Sequence, residues 1–290
     1  MATNKLLLSA LLLLSPALAA QDDVVPAVVT EDSPAFWIDK MSENIGKPAE
    51  FDMEMSMEME MMQMTMKMEG HMLVLDQSHM RGELSMDMEA EMMPGGSQHI
   101  DMLFVGDGEN LWMEMRMTPN PMGGEEPMIQ AMKMPFALIE KMGEEAMSGM
   151  GFNMGFDPTS SDLAAQASKM FETMFDEVEV EVVDGNGHLS GRVVSSADGL
   201  GAQFQMLGIN RFTYVIDGKS GYPILTTMGN EDGEVMRQSI SNLKFFDPKN
   251  IKKEFFSYLP PEGIQVMDLG AMMGLQAAGS DGESTSEDEF

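Results

Sequence analysis

Few residues in this chain are of a type and spacing that could make or break bonds. There is no cysteine among the 290 residues, which removes thiolate nucleophiles, thiolate metal sites and disulfides together. The four histidines, His71, His79, His99 and His188, show no pair at helical metal-ligand spacing. His71 and His79 flank an expected turn and are read as surface residues. Neither a "GxSxG" elbow nor a phosphate-binding "GxxxxGK" loop is present. The stretch "GMGFNMG" from Gly149 has the wrong spacing for a dinucleotide loop and falls between two expected helices. "DGNGHLSG" from Asp184 begins like a calcium loop but lacks the later acidic ligands. The 48 acidic residues single out no catalytic pair. The expectation is a non-enzymatic protein with no catalytic residues and no cofactor.

What remains is sulfur. The chain carries 37 methionines, and their spacing is regular. "FDMEMSMEMEMMQMTMKMEG", residues 51–70, has nine of them, most at every second position. On a helix, residues two apart point in very different directions; on a strand they share a face. Met53, Met55, Met57 and Met59 therefore point one way, and Asp52, Glu54, Ser56 and Glu58 the other. At Met61-Met62 the parity shifts, after which Met64 and Met66 continue the pattern. A β-bulge there would keep every thioether on one side, giving one long bent strand.

Further strands are expected on the same grounds. Leu84, Met86, Met88 and Ala90 alternate with Ser85, Asp87 and Glu89, and Ile100, Met102 and Phe104 with Asp101 and others. "VGDGEN" then turns the chain, and Leu111, Met113, Met115 and Met117 return along one face. Later strands are expected around the turn signals "DGNG", "DGKSG" and "NEDG". Helices are expected near 33–46, with Ser33 as cap and Gly46 as terminator, near 127–142, and near 160–175. The fold class is mainly β (α+β): about ten antiparallel strands in a single curved sheet, with one wet face and helices on the concave side.

The ends of the chain have their own signatures. "MATNKLLLSALLLLSPALAA" has the order of a secretory signal peptide, with cleavage expected after Ala19 or Ala20. The apolar run is shorter than the ~20 residues that span a bilayer, so the mature chain is expected to be exported, without stable membrane insertion. Residues 21–32 read as a flexible leader. Residues 269–290 read as a disordered acidic tail. The formal charge of −31 excludes nucleic acid as a partner.

Two stretches give the chain a resemblance. One is "GDGENLWMEM", Gly106 to Met115. The other runs through "YVIDGKSGYPI" and "NEDGEVMRQSISNLKF" to "KKEFFSYLPPEGIQVMD", carrying Asp217, Pro223, Asp232, Gly233, Phe256, Pro261, Gly263 and Asp268 in order. The pattern resembles the periplasmic lipoprotein-carrier (LolA-like) superfamily and covers most of residues 33–268. The resemblance implies an unclosed β-barrel with a helical lid that holds lipid chains and has no catalytic residues. Residues 118–176 would be a long helical, Gly/Met-rich lid insertion, with Phe152, Met154, Phe156, Met170 and Phe171 facing the cavity. Arg81 is the nearest match to the family's lid-latching arginine, although Gly82 rather than proline follows it. The implied partners are a lipidated protein or lipid cargo, a membrane donor complex and an acceptor receptor.

The methionines then admit two functional readings. The preferred one is a compliant apolar cavity lined by Met53, Met55, Met57, Met59, Met64, Met66, Met86, Met88, Met102, Phe104, Met113 and Met115, because flexible thioethers re-pack around ligands of different shape. The alternative is a periplasmic Cu(I)-binding protein, because thioethers select Cu(I) and alternate strand residues lie about 6.6 Å apart.

Overall fold

The computed structural model describes residues 30–44, 47–59, 63–76, 78–90, 96–138, 175–194, 204 and 207–272. The expected signal peptide lies outside these residues.

Strands dominate the described chain because the alternation of apolar and charged residues repeats with period two. In β1 (Ala49–Met59) every second side chain, from Ala49 to Met59, is buried, and those between are half-buried or exposed. The same alternation runs through β2 (Met64–Val74), β3 (His79–Ala90) and β4 (Ser97–Asp107). β5 (Asn110–Thr118) and β6 (Met128–Pro135) complete a meander. After residues 139–174 the chain forms β7 (Phe175–Val183) and β8 (Asn186–Val193), then β9 (Arg211–Ile216), β10 (Pro223–Gly229) and β11 (Glu234–Phe245). The last strand is the short β12 (Val266–Asp268).

All twelve strands form one sheet in the order β12-β6-β5-β4-β3-β2-β1-β11-β10-β9-β8-β7. Its two ends are not joined by hydrogen bonds, so this is an unclosed β-barrel. Every neighbouring pair is antiparallel except β12 with β6, which is parallel. The β1–β11 pairing is the long-range join that brings the N-terminal methionine strands against the C-terminal strands.

Register fixes which side chains share a face. One row runs Met55, Met68, Met86, Ile100, Met117 and Met128 across β1 to β6. We call this the inner face. Helix α1 (Pro34–Ser42) packs on the same side, over β8, where a Cβ at Gly187 would fall 2.1 Å from the Trp37 ring. Ser33 caps the helix by accepting a hydrogen bond from the Phe36 amide. The Trp37 indole N–H donates to the Glu31 carbonyl at 2.8 Å, which ties down the end of the expected leader.

The structure corrects several expectations. The parity shift at Met61-Met62 is not a bulge within one strand. β1 and β2 are an antiparallel hairpin in which Met59 pairs with Met64 and Met57 with Met66. Residues 60–63 connect the strands, and Gln63 takes a positive φ of 47°. The helix expected over 127–142 is largely a strand. β6 pairs along its whole length with β5, and strand pairing overrides the helix propensity of its Met, Ala, Gln and Lys. The first helix ends at Ser42, before Gly46. The expected tail opens with a single helical turn, α2 (Leu269–Met272), whose start Asp268 caps by accepting from the Ala271 amide. The helix expected near 160–175 lies outside the described residues apart from Phe175, as do residues 139–174 of the proposed lid insertion; Phe175 and Asp176 belong to β7.

Between β11 and β12 the chain crosses the opposite, outer face of the sheet. This strap runs through two 3₁₀ turns, Pro248–Asn250 and Lys253–Phe256. Phe256 is buried to 1 % exposure and meets the His79 ring edge-on at 5.8 Å. Tyr258 packs on Trp112 at 5.4 Å and donates its hydroxyl to Glu114 at 2.7 Å. His79 is thus largely covered, with 14 % of its side chain exposed, where a surface position was expected. The strap hides it.

Candidate inner-face binding site

The inner face is where the sequence places its thioethers. Met53, Met55, Met57 and Met59 of β1 are all buried, as are Met86 and Met88 of β3 and Met102 and Phe104 of β4. Met64 and Met66 of β2 and Met113 and Met115 of β5 are half-buried and pack against the same core. The fold therefore gathers all twelve side chains named from the sequence into one continuous apolar cluster. Several methionines face each other directly across strands: Met57 and Met66, Met55 and Met68, Met66 and Met88, Met102 and Met115. Such opposed pairs hold their Cβ atoms about 5 Å apart. Gly70 makes the packing possible, since a Cβ there would lie 2.2 Å from the Glu83 carbonyl oxygen.

The other half of the inner face has a different composition. Phe175 and Phe212 stack at 3.8 Å, and Phe212 and Tyr214 lie 5.6 Å apart. Leu189, Ile216 and Tyr222 complete this wall, all buried. Burial raises the Tyr214 and Tyr222 phenols to about 12, so both are protonated at neutral pH.

Sequence reasoning missed one feature of this face. Gln238 is 8 % exposed and is the only buried polar side chain among the described residues. It pairs with Met55 on one side and Thr226 on the other. The signal was present in the alternation of Met236, Gln238 and Ile240 along β11, which puts the amide on the apolar parity.

The outer face carries the charge. Asp52 accepts hydrogen bonds from Asn242 at 2.6 Å and pairs with His71 at 2.8 Å, which together hold its carboxyl below the usual carboxylate range. His99 lies between Asp87 and Asp101, at 2.7 and 3.2 Å, and its pKa is raised chiefly by the Asp87 hydrogen bond. Arg81, the latch candidate, points to this face and bonds Glu83 at 2.8 Å, away from the methionines. An open depression of about 800 Å³ lies among Asp52, Glu69, His71, Glu83 and Arg116. Among the described residues no group of three or more His, Asp or Glu is placed to hold a metal ion. No helix among them is long and apolar enough to cross a membrane. Phe152, Met154, Phe156, Met170 and Phe171 lie outside the described residues.

The motif residues behind the family resemblance serve turns and the strap. Asp107 accepts from the Glu109 and Asn110 amides and from the Trp112 indole at 2.7 Å. Asp217 accepts from the Lys219 and Ser220 amides and the Ser220 hydroxyl. Asp268 pairs with Lys133 at 3.5 Å.

No family model matches the chain, and no curated protein matches it. Solved structures do. LprF from Mycobacterium bovis is similar over 75% of this chain and 98% of its own, at 11% identity and a TM-score of 0.38. A LolA superfamily protein from Nitrosomonas europaea is similar over 77% of this chain and 97% of its own, at 10% identity and a TM-score of 0.22. A beta-barrel-like protein of a domain of unknown function from Brucella abortus covers 69% of this chain and 98% of its own, at 11% identity and a TM-score of 0.22.

Proposed function

We propose that the protein is a non-enzymatic envelope carrier that holds the acyl chains of lipoproteins or (glyco)lipids against its methionine face and moves them between membranes. The observation that carries this reading is the inner face itself. Five adjacent strands, β1 to β5, present a continuous wall of thioethers, in a sheet whose two edges are not joined to one another. A static core is more economically specified by Val, Ile or Leu, which suit strands and hold few rotamers. A wall of unbranched, polarisable side chains suits a guest whose shape varies.

The energetic need is large. Exposing a sixteen-carbon chain to water costs on the order of 12 kcal/mol at about 0.8 kcal/mol per CH₂. An apolar wall removes most of that cost without bond chemistry. The acidic outer face opposes adhesion to anionic membranes, so loading and unloading would fall to a donor complex and an acceptor receptor.

The test is purification from the native envelope without detergent, followed by lipid extraction and mass spectrometry. Acyl lipid near one equivalent per chain is expected. An empty protein that also fails to bind fluorescent acyl probes would refute the carrier reading.

A second reading, Cu(I) binding, is favoured by one observation: the directly opposed methionine pairs. Replacing Met55, Met57, Met66 and Met68 with Leu separates the two. A carrier keeps its acyl affinity, whereas a copper site loses its metal in native mass spectrometry.

A further inference from the structure

The inner face is not uniformly apolar. Register places Gln238 of β11 beside Thr226 of β10, and Thr226 beside Tyr214 of β9. On its other side Gln238 adjoins Met55, where the row of Met68 and Met86 begins. A short polar row therefore sits at the seam between the thioether wall and the aromatic wall. It spans three strands, roughly 10 Å at about 4.8 Å per strand.

Gln238 is poorly served where it sits. Its one hydrogen bond among the described residues is from Nε2 to the Met53 Sδ at 3.5 Å. A thioether is a weak acceptor, and a buried amide without a strong partner destabilises the fold relative to an apolar side chain of the same size. Leucine or methionine, already abundant on this wall, would fill the position at no such cost.

We propose that Gln238 and Thr226 engage the linkage region of an acylated ligand, the uncharged ester or amide carbonyls where its chains join the head group. The proposal rests on the carrier reading and adds the polar end of the ligand to it. The Gln238 amide N–H and the Thr226 hydroxyl are donors for carbonyl oxygens, and the Gln238 carbonyl accepts from a ligand hydroxyl or amide. The acyl chains then run from this row across β1 to β5. The preference is for a neutral linkage over a carboxylate. Lys67, Arg81, Arg116, Lys133, Arg192, Arg211, Arg237 and Lys244 all fall on the outer parity of their strands, which leaves no cation on the inner face of the described sheet. A desolvated carboxylate beside Gln238 would find no cationic partner on the sheet; Lys40 of α1, on the same side, lies over the Phe36 and Trp37 rings.

The experiment uses the full mature chain and displacement of a fluorescent acyl probe. The competitors are methyl palmitate, palmitate and heptadecane, each presented from cyclodextrin. The wild-type protein is expected to bind methyl palmitate about 3- to 10-fold more tightly than the hydrocarbon, the worth of one or two net hydrogen bonds, and more tightly than palmitate at pH 8. Gln238→Leu is expected to abolish the preference for the ester while leaving hydrocarbon affinity equal or higher. Gln238→Met, which introduces a side chain native to this wall, is the companion variant should the leucine protein fold poorly. Equal affinity of the wild type for ester and hydrocarbon, or an ester preference unchanged in both variants, would overturn the proposal. A wild type that binds none of the competitors, and no probe, overturns the carrier reading as well.

Discussion

Replacing Phe256 with Ala should detach the strap that crosses the outer face. Phe256 is 1 % exposed, while its neighbour Phe255 is 58 % exposed and Leu259 88 % exposed. The 3₁₀ turn therefore inserts a single side chain beneath itself. Truncating a buried Phe to Ala costs about 3–5 kcal/mol, transfer and cavity terms together. The edge-on contact with His79 belongs to that sum. The lower end, about 3 kcal/mol, applies here, since a strap can close on its cavity more readily than a core strand. Urea unfolding is the assay. The midpoint should fall by that free energy divided by the m-value, and m itself should fall, because a strap already loose in the native state exposes less new surface on unfolding. Leu259→Ala is the control and should change stability by no more than about 0.5 kcal/mol. Hydrogen exchange should then speed up at β12 and β6, whose parallel pairing is the strap's far anchor. If Phe256→Ala and Leu259→Ala shift the midpoint equally, the strap is not held by Phe256.

The remaining expectations concern charge, close packing and the methionine wall. His99 should titrate above its ordinary value of 6.5 in proton NMR, and Asp87→Asn should bring it down. Because its folded value is raised, its contribution to stability is fully present below the unfolded value and is lost as pH rises through the folded one. Gly187→Ala should lower the thermal midpoint, since the new Cβ meets the Trp37 ring at 2.1 Å and α1 must shift; an unchanged midpoint would show that the helix yields freely. Met86→Leu, at a side chain with 0 % exposure, should cost under about 1.5 kcal/mol as a volume-conserving exchange, whereas Met86→Asp should prevent folding. A soluble, folded Met86→Asp protein by circular dichroism would count against the inner-face assignment.

Much of the sheet was legible because period-two alternation is strong wherever one face is wet. The strands containing Met53 to Met59, Leu84 to Ala90, and Ile100 to Phe104 could be read residue by residue. The turn signals at Asp184-Gly185, Asp217 and Asn230 marked hairpins for the same local reason. The reading failed where local chemistry was silent. The stretch between β1 and β2, Glu60-Met61-Met62-Gln63, contains no Gly, Pro, Asn or Asp, so nothing in the sequence marked the antiparallel return of β2. β6 failed because Met128, Ile129, Ala131, Met132 and Met134 fit helical and strand periods about equally over so short a run. Only the exposed edge of β5 decides between them, and that is a tertiary fact. The strap's burial of His79 and the seam position of Gln238 likewise depend on which distant strands become neighbours.

The two walls of the inner face differ in stiffness, and that difference accounts for the methionines better than hydrophobicity does. Against β1 to β4 the buried side chains are mostly methionine; against β8 to β11 Leu189, Val193, Ile216 and Ile240 and the aromatic rings outnumber the buried Met228 and Met236. A methionine immobilised in a core loses about 1.5–2 kcal/mol of rotamer freedom, against about 0.5–1 for Leu or Ile. Fixing a methionine wall in one packing is therefore the more costly choice, and leaving it in several packings recovers part of that entropy. The aromatic wall, with rings at 3.8 and 5.6 Å, has little such freedom. On the proposed carrier reading, a guest lying between them would meet one surface that keeps its shape and one that takes the guest's shape. The polar row at Gln238 lies at their junction, at the margin of the rigid side, where the proposed linkage contact would hold a carbonyl in place while the chains beyond it vary in length and branching.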